Sequence, residues 1–253
     1  MDEKLKDQIA SLTLDLKSEN VVITTKDMIW KQLTRDCPDI ERSFDNLFKT
    51  EVDELSEIFG EVSGVILNAS IRGDELQKEC SVLLLNALNI YIAALQNFRS
   101  GHRLSPLVLM RSIVELVSVV IHVKMRPKDL DVFRDGKLKS TKCVTTAKQA
   151  IPPIGELYGH LSNTVTHVAE LHRNINAITK YTERDEAVNA NFGFLRVSIW
   201  LTYVTTELVF FDLVSKPRYW VEVEGKGYAF SPGTEIKQWM DKFLEGNLSE
   251  SAT

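Results

Sequence analysis

Apolar residues along this chain recur mostly at helical spacing. Leu5, Ile9, Leu12 and Leu16 fall at i, i+4, i+7 and i+11, which predicts an amphipathic helix over residues 2–17. The stretch ENVVITT then interrupts it as a short extended break. Thr25 stands as the N-cap of a helix to about Asp36, with Asp27 in its first turn and Pro38 just past its end. Residues 39–69 carry further helical pattern, with Gly60 as the point of bending. A turn, RGDE, precedes a long helix capped by Asp74 and running to about Phe98. Ser105 and Pro106 open the next helix, which Pro127 closes after Met125.

Residues 126–150 are lysine-rich and less regular. Pro152 and Pro153 open a helix to about Ile178, and a strongly apolar helix follows from about Asn191 to Val214. The pattern then changes period. YWVEVEGKGYAF alternates apolar and polar residues around two glycines, as a β-hairpin does. GTEIKQWMDKFLEG closes the sequence as a short amphipathic helix. The expected fold is all-α. A core bundle of about four long helices occupies residues 73–215, preceded by an N-terminal helical region (1–72) and followed by a small β-hairpin plus helix (216–253).

Composition supports helices over sheets, since 12 glycines and 7 prolines in 253 residues leave few turns for a sandwich or barrel. The net charge of −5 gives no support to wholesale phosphate neutralisation. Lysines and arginines between Lys124 and Lys148 read as a solvated loop, with a local basic patch as the alternative. Three separated cysteines, Cys37, Cys80 and Cys143, imply neither a disulfide framework nor a zinc knuckle. The acidic start MDEKLKDQIASL has no apolar signal core. Segments 104–123 and 192–214 are apolar enough to raise a membrane question. Arg111, Glu115 and His122 break the first; Arg196, Glu207 and Asp212 break the second. The expectation is a cytoplasmic protein with no membrane association.

The stretch YGHLSNTVTHVAELH holds three of the five histidines. Positions seven apart on a helix point within about 20° of each other, so His160, Asn163 and His167 share a face while His172 points elsewhere. Similar polar lines mark the other apolar helices: Arg111, Glu115, Ser118 and His122; Asn86, Asn89 and Asn97; Arg196, Trp200, Tyr203 and Glu207. Polar groups among packed apolar helices must be paired or wet, which points to a polar network or pocket inside the bundle. Each line also has a plainer reading. The asparagines suit an outer face, Arg111 and Glu115 suit a surface i, i+4 ion pair, and the histidines suit satisfied core positions. The apolar flanks LVLM and LVSVVI favour burial for the Arg111–Glu115 pair.

Metal binding is disfavoured, because His160 and His167 stand ~10 Å apart along a helix axis and no H-E-x-x-H or E-x-x-H occurs. No cofactor motif is present, since G-x-G-x-x-G and Walker patterns are missing, and nucleophilic hydrolysis is disfavoured because no G-x-S-x-G occurs. What remains is an Arg/Glu/His set. It suits metal-free phosphodiester chemistry, and it equally suits passive recognition of an anionic ligand.

RSIVE at 111–115, with YGHLSNTVTH some forty residues later, resembles a bacterial all-helical family of unknown function that pairs an R-x-x-x-E helix with a Tyr…Leu-Ser…His helix. It is also similar, more loosely, to the HEPN superfamily of four-helix bundles. That resemblance implies a polar intra-bundle site and a role in phage defence, toxin–antitoxin systems or stress response. Arg111, Glu115, Tyr158, Ser162 and His167 would form the site, with His160 and Asn163 beside it as ligand-binding positions. Two functions follow from it: a binding or regulatory module for RNA, a nucleotide or a protein, and a metal-independent endoribonuclease. In the nuclease, His167 would be the acid/base, Glu115 its orienter and Arg111 the anion holder. Homodimerisation is open in either case. The R-x4–6-H motif of HEPN nucleases is absent, since no histidine follows an arginine at that spacing.

Overall fold

A computed structural model describes residues 8–15, 20–166, 172, 177–225 and 227–246. The chain is all-α apart from two small hairpins. Strands β1 (Ile9–Asp15) and β2 (Asn20–Thr25) pair antiparallel. Helix α1 (Met28–Lys31) passes through a π turn (Gln32–Asp36) into α2 (Cys37–Arg72). Then come α3 (Glu75–Arg99), α4 (Ser105–Met125), α5 (Leu130–Arg134), α6 (Ser140–Ala150) and α7 (Pro153–His160). A second π turn (Leu161–Thr166) follows. Helix α8 (Glu186–Val209), strands β3 (Trp220–Val223) and β4 (Gly227–Phe230), and helix α9 (Thr234–Glu245) complete the order.

The four long helices are α2, α3, α4 and α8. Helix α8 packs on the other three, and α4 also packs on α3 and α6. The expected fourth member, a helix over 153–178, is not one of them. It is α-helical only to His160 and widens into the π turn, Ala177 and Ile178 lie outside any helix, and most of 167–176 falls outside the described residues. Its place is taken by α2, whose Leu55, Ile58, Val62, Ile66 and Ala69 repeat at helical spacing and are all buried. One core therefore runs from Ile40 to Phe243, across the expected divisions at residues 72 and 215.

The turn between α2 and α3 is set by two residues. Asp74 accepts from the Gln77 backbone N–H at 2.8 Å, and the Gln77 side chain accepts from the Asp74 N–H at 3.0 Å, a complete capping box. Gly73 leaves no room for a side chain. A Cβ there would lie 2.5 Å from the Ala69 carbonyl oxygen and 2.7 Å from Gln77 Cβ. Asp185 caps α8 through the Val188 N–H (2.8 Å) and is held by Arg103.

Four local expectations are corrected. Residues 9–15 form a strand, not part of a helix over 2–17; residues 1–7, 16 and 17 lie outside the described residues. Leu12 and Leu14 alternate with Thr13 and Asp15, and the β-branched run Val21-Val22-Ile23 supplies a pairing partner, so the period of two prevails over the weaker helical spacing. Thr25 ends β2 instead of capping, and Asp27 precedes α1. Pro38 does not end a helix. It sits in the first turn of α2, and the wider π turn before it carries the helix past the missing N–H. Finally, α2 bends at Phe48 (φ −127°, ψ 20°), not at Gly60.

Phe48 bends where its ring enters an aromatic cluster with Phe44, Phe98, Tyr181 and Phe192, centroids 5.1–5.9 Å apart. Tyr181 is anchored at both ends: its N–H donates to Ser43 Oγ (2.9 Å) and its hydroxyl to the Phe98 carbonyl. The non-helical segment before α8 is thereby laid across α2 and α3.

Nearby, the Arg99 guanidinium donates to both oxygens of Asp45, each at 2.7 Å, joining α3 to α2. That hydrogen-bonding holds the Asp45 carboxyl below its ordinary value. A lowered folded-state value means stability that is complete above the unfolded carboxylate value of about 4 and is lost as pH falls through the folded one. Thermal melts should hold their midpoint near neutrality and drop below about pH 4. In Asp45→Asn the neutral-pH midpoint should be lower and the acid decline shallower. An acid limb identical to wild type would remove Asp45 from the linkage.

Candidate functional site

Among the described residues the four polar lines read from the sequence do not meet in one interior. Each helix uses its line locally. On α3, Asn86 and Asn89 are exposed and Asn97 is half-buried, donating to the Ala93 carbonyl. On α8, Glu207 is buried and its carboxylate accepts three backbone N–H bonds, from Arg218 (2.9 Å), Tyr219 (2.6 Å) and Trp220 (2.9 Å). Tyr203 packs edge-on against Tyr219, Trp200 against Phe230, and Arg196 pairs with Glu54 at 3.4 Å. The α8 line therefore clamps the C-terminal hairpin and joins α8 to α2.

On α4 the line divides. Ser118 donates to the Val114 carbonyl at 2.7 Å inside its own helix. His122, fully buried, bonds Thr146 Oγ1 through Nδ1 and Asp129 through Nε2, both at 2.8 Å, and Lys142 also reaches Asp129 at 2.9 Å. This set fastens α6 and the turn after α4 to the bundle. Sequence reading missed α6, because its lysines masked an apolar stripe of Cys143, Val144 and Ala147.

The remaining members of the α4 line do gather. Tyr158 on α7 reaches between Arg111 and Glu115. Arg111 Nη2 stands 3.1 Å from Glu115 Oε1 and donates to the Tyr158 hydroxyl at 3.3 Å. That hydroxyl in turn donates to Glu115 Oε1 at 3.2 Å. The guanidinium carbon lies 5.5 Å from the Tyr158 ring centroid, within cation–π range. Arg111 and Glu115 are 29% and 28% exposed, so the ring of three groups is open at one edge. The Tyr158 hydroxyl and the Glu115 charge hold the guanidinium above its ordinary value, against the cost of partial burial.

Arg111 Nε and Ser162 Oγ are both buried without a hydrogen-bond partner among the described residues. Ser162 lies one turn beyond Tyr158. His160 and Asn163 do not join them. Both are exposed, and His160 stacks on Phe194 of α8 at 5.4 Å. His167, the expected acid/base, lies outside the described residues.

Other chemistry has weaker footing. Burial pushes the Cys80 thiol up to about 12 and the Cys143 thiol up to about 11, far from a reactive thiolate. Among the described residues no three His, Cys, Asp or Glu side chains gather as a metal site requires. Arg134, Lys137 and Lys142 are engaged by carboxylates, but Arg134 stands on α5 and Lys142 on α6, so the lysine-rich segment is not the loop that the sequence suggested. Larger clefts lie elsewhere. One of about 600 Å³ is lined by Lys124, Trp220, Tyr228 and Phe230, and one of about 450 Å³ by Gly60, Gly64, Tyr203 and Arg218. Two of their cations are already committed, Lys124 to the Val209 carbonyl and Arg218 to Glu61.

Two helices, α3 and α4, are long and apolar enough to cross a membrane by length and composition, which is weak evidence because core helices pass the same test. No protein-family model, curated protein or solved structure matches this chain.

Proposed function

We propose that this protein is a HEPN-like helical-bundle binding module, cytoplasmic, in a defence or stress-response role. In this reading the Arg111–Glu115–Tyr158 ring takes an anionic group, the phosphate of a nucleotide or of RNA. The observation that carries it is the guanidinium itself. It is positioned by a carboxylate and a phenol, is open at one edge, and keeps a buried Nε–H uncommitted among the described residues. A planar fork held in this way is suited to phosphate oxygens. Ser162 Oγ, buried one turn along, adds a second donor.

A metal-independent endoribonuclease is the other reading. Binding is favoured over it because the phenol and the carboxylate are bonded to each other, and His160 stacks away from them on Phe194. Calorimetric titration with inorganic phosphate, a mononucleotide and a short single-stranded RNA tests the proposal. Arg111→Ala should weaken binding at least tenfold, about 1.4 kcal/mol, while the helical circular dichroism stays unchanged. His160→Ala should bind as wild type. Equal affinity in Arg111→Ala would end the reading. RNA cleavage in EDTA by the wild type, lost in Glu115→Gln, would establish the nuclease instead.

A further inference from the structure

The N-terminal arm carries an apolar surface that the rest of the described residues leave exposed. In the β1–β2 register Leu12 faces Ile23 and Leu14 faces Val21. Side chains alternate across a strand, so these four share one face of the hairpin. The opposite face carries the pairs Ser11–Thr24, Thr13–Val22 and Asp15–Asn20 and is largely polar. The hairpin is therefore amphipathic, yet its extensive packing is confined to its own two strands. All four apolar side chains remain 47–60% exposed. The helical turns that follow continue the pattern, with Ile29 at 79%, Trp30 at 68% and Leu33 at 59%.

An isolated two-stranded hairpin is marginal in water, and an apolar face on one of its sides demands a cover. We infer that the cover is a second copy of this chain, with the two hairpins stacked face to face about a twofold axis. Three observations select that occupant. The centre of the face is built from two aliphatic pairs, Leu12–Ile23 and Leu14–Val21, so it is complementary to itself, as a twofold interface requires. Its charge is also balanced: residues 8–36 carry four basic and four acidic side chains, while the whole chain is at −5. An arm shaped for an oppositely charged partner, or for an anionic membrane, would carry an excess of one sign. Balance instead removes the repulsion that two copies of an acidic chain would meet. Lastly, the exposed side chains of the hairpin and the following turns offer area on the order of the 800 Å² that one partner brings to a standard interface. The inference stands apart from the proposed ligand site, which lies on α4 and α7.

Sedimentation equilibrium of the full chain over a dilution series tests it. The wild type should sediment at twice 28.7 kDa. Leu12→Asp combined with Ile23→Asp should raise the dimer dissociation constant at least ~100-fold, because it places charge in the centre of the apolar contact. Its helical circular dichroism should match wild type, since the bundle does not depend on the arm. Thr13→Asp, on the polar face, should leave the dimer intact. A wild type that is monomeric throughout, a dimer that survives the double substitution, or equal disruption by Thr13→Asp would each overturn the inference. So would a monomer whose arm binds anionic vesicles.

Discussion

Glu207→Ala should cost the protein about 3–5 kcal/mol, a large share of the 5–15 kcal/mol that holds a typical domain folded. The side chain is 1% exposed, and its two oxygens receive three consecutive backbone N–H groups. Truncation leaves those donors buried and unpaired, each with a desolvation cost of about 1–3 kcal/mol. The chain can recover part of this only by letting water in, which means lifting residues 218–220 off α8. That motion would also break the Trp220 indole bond to the Val204 carbonyl and separate Trp200 from Phe230. The near-ultraviolet aromatic dichroism should therefore fall along with the denaturation midpoint. Glu207→Gln should be milder, because its oxygen can still serve Tyr219 and Trp220 while its amide meets the Arg218 N–H donor to donor. A Glu207→Ala midpoint within about 1 kcal/mol of wild type would show that the carboxylate is not the clamp.

Phe44→Ala should destabilise by a similar amount, about 3–5 kcal/mol. Phe44 is fully buried and touches all four other rings of its cluster: Phe48, Phe98, Tyr181 and Phe192. The loss combines the transfer free energy of a phenyl group with a cavity that neighbours on three separate elements cannot readily fill. Phe44→Leu should recover more than half of it. Urea denaturation decides the matter, and a cost under about 1 kcal/mol for the alanine variant would mean that the cluster collapses freely.

How far the sequence could be read depends on the range of the forces involved. Local signals were legible. Asp74 announced its capping box, Pro106 and Pro127 bracketed α4, and the alternation around Gly225 and Gly227 marked the second hairpin. The β1 strand was not legible as one, because Ile9, Leu12 and Leu16 also fit a helix and only pairing with 20–25 decides between the two. At the candidate site, RSIVE and YGHLS identified three groups that do converge: Arg111, Glu115 and Tyr158. Spacing along a helix could not say which side of α7 faces α4. His160 and Asn163 were therefore grouped with the site, whereas both are exposed and His160 stacks on Phe194. The roles of Glu207 and His122 depend on contacts with residues 7–24 positions later, which no periodicity encodes.

The arrangement of α8 bears on how the chain comes to be made. Of its 24 residues 17 are buried, and from Ser198 to Val209 the burial is continuous, so it is the central post of the bundle and not one of its walls. It also leaves the ribosome after the three helices on which it packs. Helices α2, α3 and α4 are synthesised first and must wait with an apolar slot between them. Folding of this core then waits on α8, which drops into a half-built enclosure. Until that happens the nascent protein presents the kind of surface that trigger factors and other holding chaperones recognise.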